Sequence, residues 1–247
     1  MTLLQYKGGA GTTLNLESQT HKQMISTGSV EIDKKMGGGI PFGTLMLIEG
    51  GGSSGKSTLV QQLIWSALST EENVTLYVTE QTVQSLLRQM QSLGLDVIDP
   101  FLMDRLRIYP VSVPSGDTSA LWRLSDHMNR QTGSRVIAVD SLTTIVPWSA
   151  GEQIKDFLSG CKGLCDDGKV VICTAHEDAF GDEMSTRTRS MCDAYIRLHV
   201  NPSASSLMKT MEVAKIRGAE LRTGDILGFE VEPNRGLRII PILQARA

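Results

Sequence analysis

"IEGGGSSGKSTLV", residues 48–60, is the stretch that decides how this chain folds. Gly50, Gly55, Lys56 and Ser57 fill the pattern G-x-x-x-x-G-K-[ST], the phosphate-binding loop of nucleoside triphosphatases. Glycines in such a loop let successive backbone N–H groups turn inward around the α- and β-phosphates. Lys56 then reaches the β/γ oxygens, and the Ser57 hydroxyl can ligate Mg²⁺. A helix starting at Lys56 adds the positive end of its dipole to the same anion site. The expected cradle is Gly50, Gly52, Ser53, Ser54, Gly55, Lys56, Ser57 and Thr58, and the expected ligands are a nucleoside triphosphate and Mg²⁺.

The loop requires a strand before it and a helix after it, and both are written on either side. "TLMLI" (44–48) is a short apolar run of the buried-strand kind. Leu59, Val60, Leu63, Ile64, Ala67 and Leu68 recur at helical spacing. Further out the rhythm repeats. "VTLYVT" (74–79) reads as a strand, and Val83, Leu86, Leu87, Met90 and Leu93 mark a helix closed at Gly94. "RLRIYPV" is another strand, 117–131 a helix, "RVIAVD" (135–140) a strand, and "KVVICTAH" (169–176) one more. From about 194 the chain turns to strands without long helices, namely "AYIRLHV", "LMKTMEVAKIR", "ILGFEVE" and "GLRIIPI", joined by turn-like "HVNPSAS" and "VEPNRG". The pattern predicts an α/β fold whose parallel sheet is wrapped by helices and extended by a C-terminal antiparallel β segment. The domain reading is one unit over 23–247, preceded by an N-terminal segment, 1–22, free to move.

Bulk properties narrow the classes. The chain has 247 residues, 40% apolar and 21% charged, with net charge −3. That balance argues against a chain-wide grip on nucleic acid. No apolar run reaches the roughly 18 residues of a membrane span, and "MTLLQYKGGAGTT" lacks the apolar core of a signal peptide, so the expected location is cytoplasmic. Cys161 and Cys165 stand one helical turn apart, which suits a metal pair. They also share a stripe with Ile154, Phe157, Leu158 and Leu164, and core packing is the better reading.

A phosphate loop needs an acid for its metal. Asp140 ends the apolar strand "RVIAVD" and is the candidate, alongside Ser57. Hydrolysis further needs a base for the attacking water. Glu80, at the end of "VTLYVTE", is placed for that role if its strand lies beside the loop strand; the competing reading is an acid at a helix N-terminus.

"STGSVEIDKKMGGGIPFGTLMLIEGGGSSGKSTL" (26–59) resembles the opening of RecA-superfamily ATPases of the KaiC-like branch. "YVTEQTVQSLLRQMQSLGLDV", "AVDSLTTIV", "TAHEDAF" and "RTRSMCDAYIRL" resemble, within that branch, the accessory ATP-binding proteins of the archaellum motor. The likeness runs from about residue 23 to the C-terminus. It implies a RecA-like core with the "KVVICTAH" strand between the loop strand and the Asp140 strand. It also implies Thr174 and His176 as sensors near the γ-phosphate. In "VAKIRGAE" it implies Lys215 and Arg217 as residues reaching a neighbour's nucleotide, Arg217 as a trans-acting arginine finger. The implied partners are further copies of the chain in a ring, a hexamer in the first instance. The motor's ATPase and its membrane and scaffold proteins, met on the cytosolic side, complete the set.

One departure bears on mechanism. KaiC-like ATPases present two adjacent glutamates where this chain has Glu80 followed by Gln81. An amide can orient a water but cannot take its proton. The expected behaviour is firm ATP binding with weak hydrolysis. Two other classes stay open at this stage: a KaiC-like ATPase or autokinase, for which "DSLTT" (140–144) offers hydroxyls, and a RecA-type DNA-dependent ATPase, disfavoured by the charge balance.

Overall fold

The computed structural model describes residues 24–202, 207–217 and 226–240. The N-terminal segment 1–22, the end of "HVNPSAS" and the end of "VAKIRGAE" lie outside the described residues. Strand β1 (Met24–Ile25), helix α1 (Val30–Lys35) and strand β2 (Ile40–Pro41) form a lead-in, with β1 and β2 antiparallel. The alternating part follows: β3 (Leu45–Gly50), α2 (Lys56–Ser69), β4 (Val74–Val78), α3 (Val83–Ser92), α4 (Ile98–Leu102), β5 (Leu106–Pro110), α5 (Ala120–Asn129), β6 (Val136–Asp140), α6 (Gly151–Asp166), β7 (Val170–His176) and α7 (Asp182–Met191). Four strands close the chain: β8 (Ala194–Pro202), β9 (Leu207–Ile216), β10 (Ile226–Glu232) and β11 (Gly236–Ile240).

Nine strands form one sheet in the order β11-β10-β9-β8-β3-β7-β6-β4-β5. From β8 to β5 every neighbouring pair is parallel, and from β8 outward to β11 every pair is antiparallel. Strands buried on both faces must be apolar on both. Met46 and Ile48 accordingly join one core with α2 and α3, while Leu45 and Leu47 join the other with α5 and α6. The cysteine stripe packs into this second core, where Cys161, Cys165, Cys173 and Cys192 are all buried and free.

The expected place of β7 between β3 and β6 is found. The expected neighbourhood of Glu80 is not. Its strand, β4, is separated from β3 by both β7 and β6. Strand β4 is buried throughout, as β6 and the "VVICTA" part of β7 are, so burial does not rank the three; β5, half-exposed from Arg107 on, takes the edge, and β4 pairs between it and β6.

Several short elements carried no strong periodicity and were not anticipated: α1, α4, α7 and the β1–β2 pair. Side-chain hydrogen bonds make the lead-in. The Asp33 carboxylate accepts from Ser26 Oγ at 2.5 Å and from Thr27 N at 2.7 Å. Buried Gln62 on α2 then donates to Thr27 O at 3.0 Å and accepts from Leu237 N at 2.9 Å, tying the lead-in, the loop helix and β11 together.

Helix α3 starts at Thr82, whose hydroxyl accepts from Ser85 N at 3.2 Å, and stops before Gly94 at φ +75°. A Cβ on Gly94 would fall 2.5 Å from Asn234 O, so the helix end and the β10–β11 turn meet backbone to backbone. Gly94→Ala should therefore destabilise the protein by more than about 1 kcal/mol, because strain at positive φ adds to the clash. Urea unfolding measures it, and an unchanged midpoint would show that this contact is dispensable.

Candidate functional site

Strand β3 runs fully buried to Gly50, the chain turns through Gly51–Gly55, and α2 begins at Lys56. Packing beneath the loop explains two of its glycines. A Cβ on Gly50 would lie 2.6 Å from Leu198 O and 2.6 Å from Ser54 Oγ, and one on Gly55, at φ +103°, would lie 3.1 Å from the Phe229 ring. The loop thus rests on β8 and β10. Helix α2 has no side-chain cap, which leaves its first N–H groups to an anion. Lys56 Nζ meanwhile donates to Gly50 O and Gly51 O, each at 2.9 Å. Burial lowers the lysine's pKa, against the opposing pull of Asp140, Glu80 and Glu177.

A cavity of about 400 Å³ opens above the loop, lined by Gly52, Ser53, Ser54, Gly55, Lys56, Ser57 and Thr58. Its acid wall carries Glu80, Asp140, Ser141, Thr143 and His176, each delivered by the end of a central strand or the loop that follows. An adjoining space of about 220 Å³ is bounded by Ser57, Glu80, Gln81, Gln89 and Asp140.

Asp140 is the buried centre of this wall. Thr174 Oγ1 donates to its Oδ1 at 2.6 Å, and the nearby Ser57 hydroxyl also favours the ionised form. Burial nevertheless pushes its carboxyl above the ordinary range, with Glu80 adding to the rise. A desolvated carboxylate paired with hydroxyls suits a cation arriving with a triphosphate. Among the described residues no cluster of three or more His, Cys, Asp or Glu could hold a metal alone. Ser57 and Asp140 would therefore share Mg²⁺ with phosphate oxygens, the usual arrangement for that ion, which would supply charge neutralisation at the phosphates.

Glu80 reaches the cavity although its strand is remote from β3. Val78 pairs with Asp140, and the chain beyond them brings Ser141 Oγ to donate to Glu80 Oε1 at 2.7 Å. Thr79 Oγ1 clamps Ser141, accepting from its N and donating to its O at 3.0 Å each. His176 lines the cavity, its backbone N bonded to Thr143 Oγ1 at 2.9 Å. Thr174 does not line it; its hydroxyl anchors Asp140 instead.

Lys215 and Arg217 lie elsewhere. The register runs Met46–Ala194–Ile216 at one end of the sheet and Gly50–Leu198–Met211 at the other. At about 3.3 Å per residue along the strands this sets Lys215 roughly 10 Å and Arg217 roughly 16 Å from the loop of their own subunit. Two cavity residues went unforeseen, Lys209 and Val231, which arrive from the antiparallel strands with no local signal to mark them. Gln89 is a third, hidden beside the apolar stripe of α3 and bonded to Gln61 Nε2 at 3.0 Å.

The raised Asp140 pKa has a stability consequence. The native carboxyl prefers its proton, so its contribution is favourable at low pH and is lost as pH rises through the native value. Asp140→Asn removes that penalty and keeps an oxygen for Thr174. Without nucleotide it should melt about 2–4 °C above wild type at neutral pH, corresponding to about 1 kcal/mol. The gap should close as pH falls into the carboxylate range. Thermal melts across pH check this, and a variant that melts lower at neutral pH would show that the ionised acid is not strained.

The family model described as "ATPase: KaiC" matches residues 25–244. The chain is 29% identical to the archaeal flagellar ATP-binding protein FlaH of Sulfolobus acidocaldarius, over 91% of this chain and 100% of that protein. It is 26% identical to FlaH of Methanocaldococcus jannaschii, over 85% of this chain and 91% of that one. The crystal structure of flagellar accessory protein FlaH from Methanocaldococcus jannaschii superposes with a TM-score of 0.74, covering 86% of this chain and 96% of that one at 26% identity. The glycine loop between β3 and α2, the Asp140 strand beside β7 and these likenesses agree: the chain belongs to the KaiC family of ATPases.

Proposed function

We propose that this protein is an ATP-binding assembly component of the archaellum motor, using nucleotide as a switch more than as fuel. The observation that carries the reading is the make-up of the cavity wall. The phosphate cradle, Lys56, Ser57 and Asp140 are complete, yet past β4 a single acid, Glu80, is followed by the amide of Gln81. In this reading the loop N–H groups and Lys56 hold the phosphates, with Lys209 adding a cation at the cavity. Asp140 and Ser57 hold Mg²⁺. Glu80, steadied by Ser141, orients a water that no second carboxylate helps to deprotonate. His176 stands where a γ-phosphate would be felt.

The likeness to FlaH proteins supports the motor assignment. Residues 23–247 serve as one ATP-binding unit, and several copies close into a ring, a hexamer in the first instance. Arg217 acts on the nucleotide of the next subunit, whereas Lys215, expected to do the same, is turned onto the carbonyls at the end of α7 in its own. The distance of Arg217 from its own loop suits a residue addressed to a neighbour. Nucleotide at such a seam favours the assembled state by mass action. The ring sits peripherally at the cytoplasmic side of the motor, against its ATPase and its membrane and scaffold proteins, without nucleic acid. No helix among the described residues is long and apolar enough to cross a membrane.

Light scattering and phosphate release on one purified sample, with and without ATP·Mg²⁺, test this. Mass should rise with ATP while turnover stays well below the enzyme median of about 10 per second. Gln81→Glu should raise the rate if the missing acid limits it. Turnover at or above that median contradicts the switch. Arg217→Ala should fail to assemble with ATP, since a guanidinium can clamp phosphate oxygens bidentately. A variant that assembles like wild type removes Arg217 from the seam.

A further inference from the structure

Lys215 and Arg217 share one strand end but are used differently. Lys215 Nζ donates to Cys192 O at 2.5 Å, Ser190 O at 3.3 Å and Arg189 O at 3.5 Å. It gathers the carbonyls at the C-terminal end of α7, where a cation is electrostatically favoured. An ammonium has three donors, so this one is fully engaged within its own subunit.

Arg217 keeps 58% of its side chain exposed. Its guanidinium is held at two points, Nη1 on Asp193 Oδ1 at 3.3 Å and Nη2 on Ser190 O at 3.5 Å. A guanidinium carries five donors, and the rest remain for an incoming anion. The strand is located as well, since Arg217 N donates to Asp193 O at 2.9 Å. Asp193 is itself built in. Its carboxylate accepts from Leu45 N at 3.1 Å, and Lys162 Nζ lies 2.7 Å from both of its oxygens. Its own N donates to Leu45 O at 2.8 Å. A carboxylate fixed by the backbone of β3 thus sets the position of a largely exposed guanidinium.

We propose that Asp193 is the positioning residue for Arg217: it presents the guanidinium in one orientation to the phosphate oxygens of a second copy of this chain. The inference rests on the trans-subunit reading of Arg217. An arginine loses rotamer freedom when it docks on an anion, and holding it beforehand lowers that cost. Asp193 touches no nucleotide in its own subunit. Its removal should act on assembly and leave the affinity of the monomer's own loop as it was.

The test measures ATP affinity by calorimetry below the assembly concentration, and the ATP·Mg²⁺ concentration for half-assembly by light scattering. Asp193→Asn keeps an acceptor for Leu45 N and loses the charge that anchors Arg217. It should bind ATP as wild type does while needing about three- to fivefold more nucleotide to assemble, the scale of a partly exposed ion pair. Lys162→Met removes the other cation on the same carboxylate, leaves the Asp193–Arg217 contact, and should assemble within about twofold of wild type on the same scale. Should Asp193→Asn fail to fold, Asp193→Glu keeps the charge but displaces the carboxylate by one methylene and should raise the threshold likewise. An unchanged threshold in the variant that folds, or an equal rise in Lys162→Met, overturns the proposal. Arg217→Ala separates the two levels: if it assembles like wild type, or if wild type never assembles with ATP, the seam reading fails and this inference with it. If Arg217→Ala fails to assemble while the Asp193 variant behaves as wild type, only the positioning role is lost.

Discussion

A carboxylate held out of water governs the site. Asp140 ends a strand with no exposed residue, bonded to the hydroxyl of Thr174 and close to that of Ser57, and burial raises its pKa. Charge in such a place is costly until a cation meets it. In the proposed reading that cost favours a cation arriving with the nucleotide. Sheet order makes it possible. With β7 between β3 and β6, Thr174 can reach across to Asp140 while Ser57 approaches from the head of α2.

Strand β8 and the antiparallel strands beyond it do two jobs. At one end, Leu198 and Phe229 floor the phosphate loop so closely that Gly50 and Gly55 admit no Cβ without displacement. At the other end, β9 carries Lys215 and Arg217 to the start of β3, where Asp193 and the end of α7 receive them. Because β9 runs opposite to β8, one ladder links the floor of the subunit's own site to Arg217, the residue proposed to serve a neighbour.

The wall around Glu80 shows how a short hydroxyl chain replaces strand adjacency. Thr79 fixes Ser141, Ser141 bonds Glu80, and Thr143 bonds the His176 backbone. These contacts join the ends of β4, β6 and β7 into one surface. An acid whose strand lies three places from β3 can still face the cavity.

Local rules were enough for much of this protein. The glycine loop has its own backbone demand, the apolar runs declare strands buried on both faces, and the stripe through Ile154, Phe157 and Cys161 declares a packed helix face. The order of chain elements and the cluster of Lys56, Ser57 and Asp140 were legible for that reason, and Gln81 was visible as a departure. What the sequence left open depends on contacts between residues far apart in the chain. Strand order put β4 outside β6 although both are buried throughout, a choice made by pairing across the whole sheet. Lys209 and Val231 joined the cavity only because an antiparallel ladder folds over the loop. Lys215, Arg217 and Asp193 meet through a register that no local pattern encodes. Sequence periodicity reports which face of an element is buried, and only tertiary pairing decides what that face is buried against.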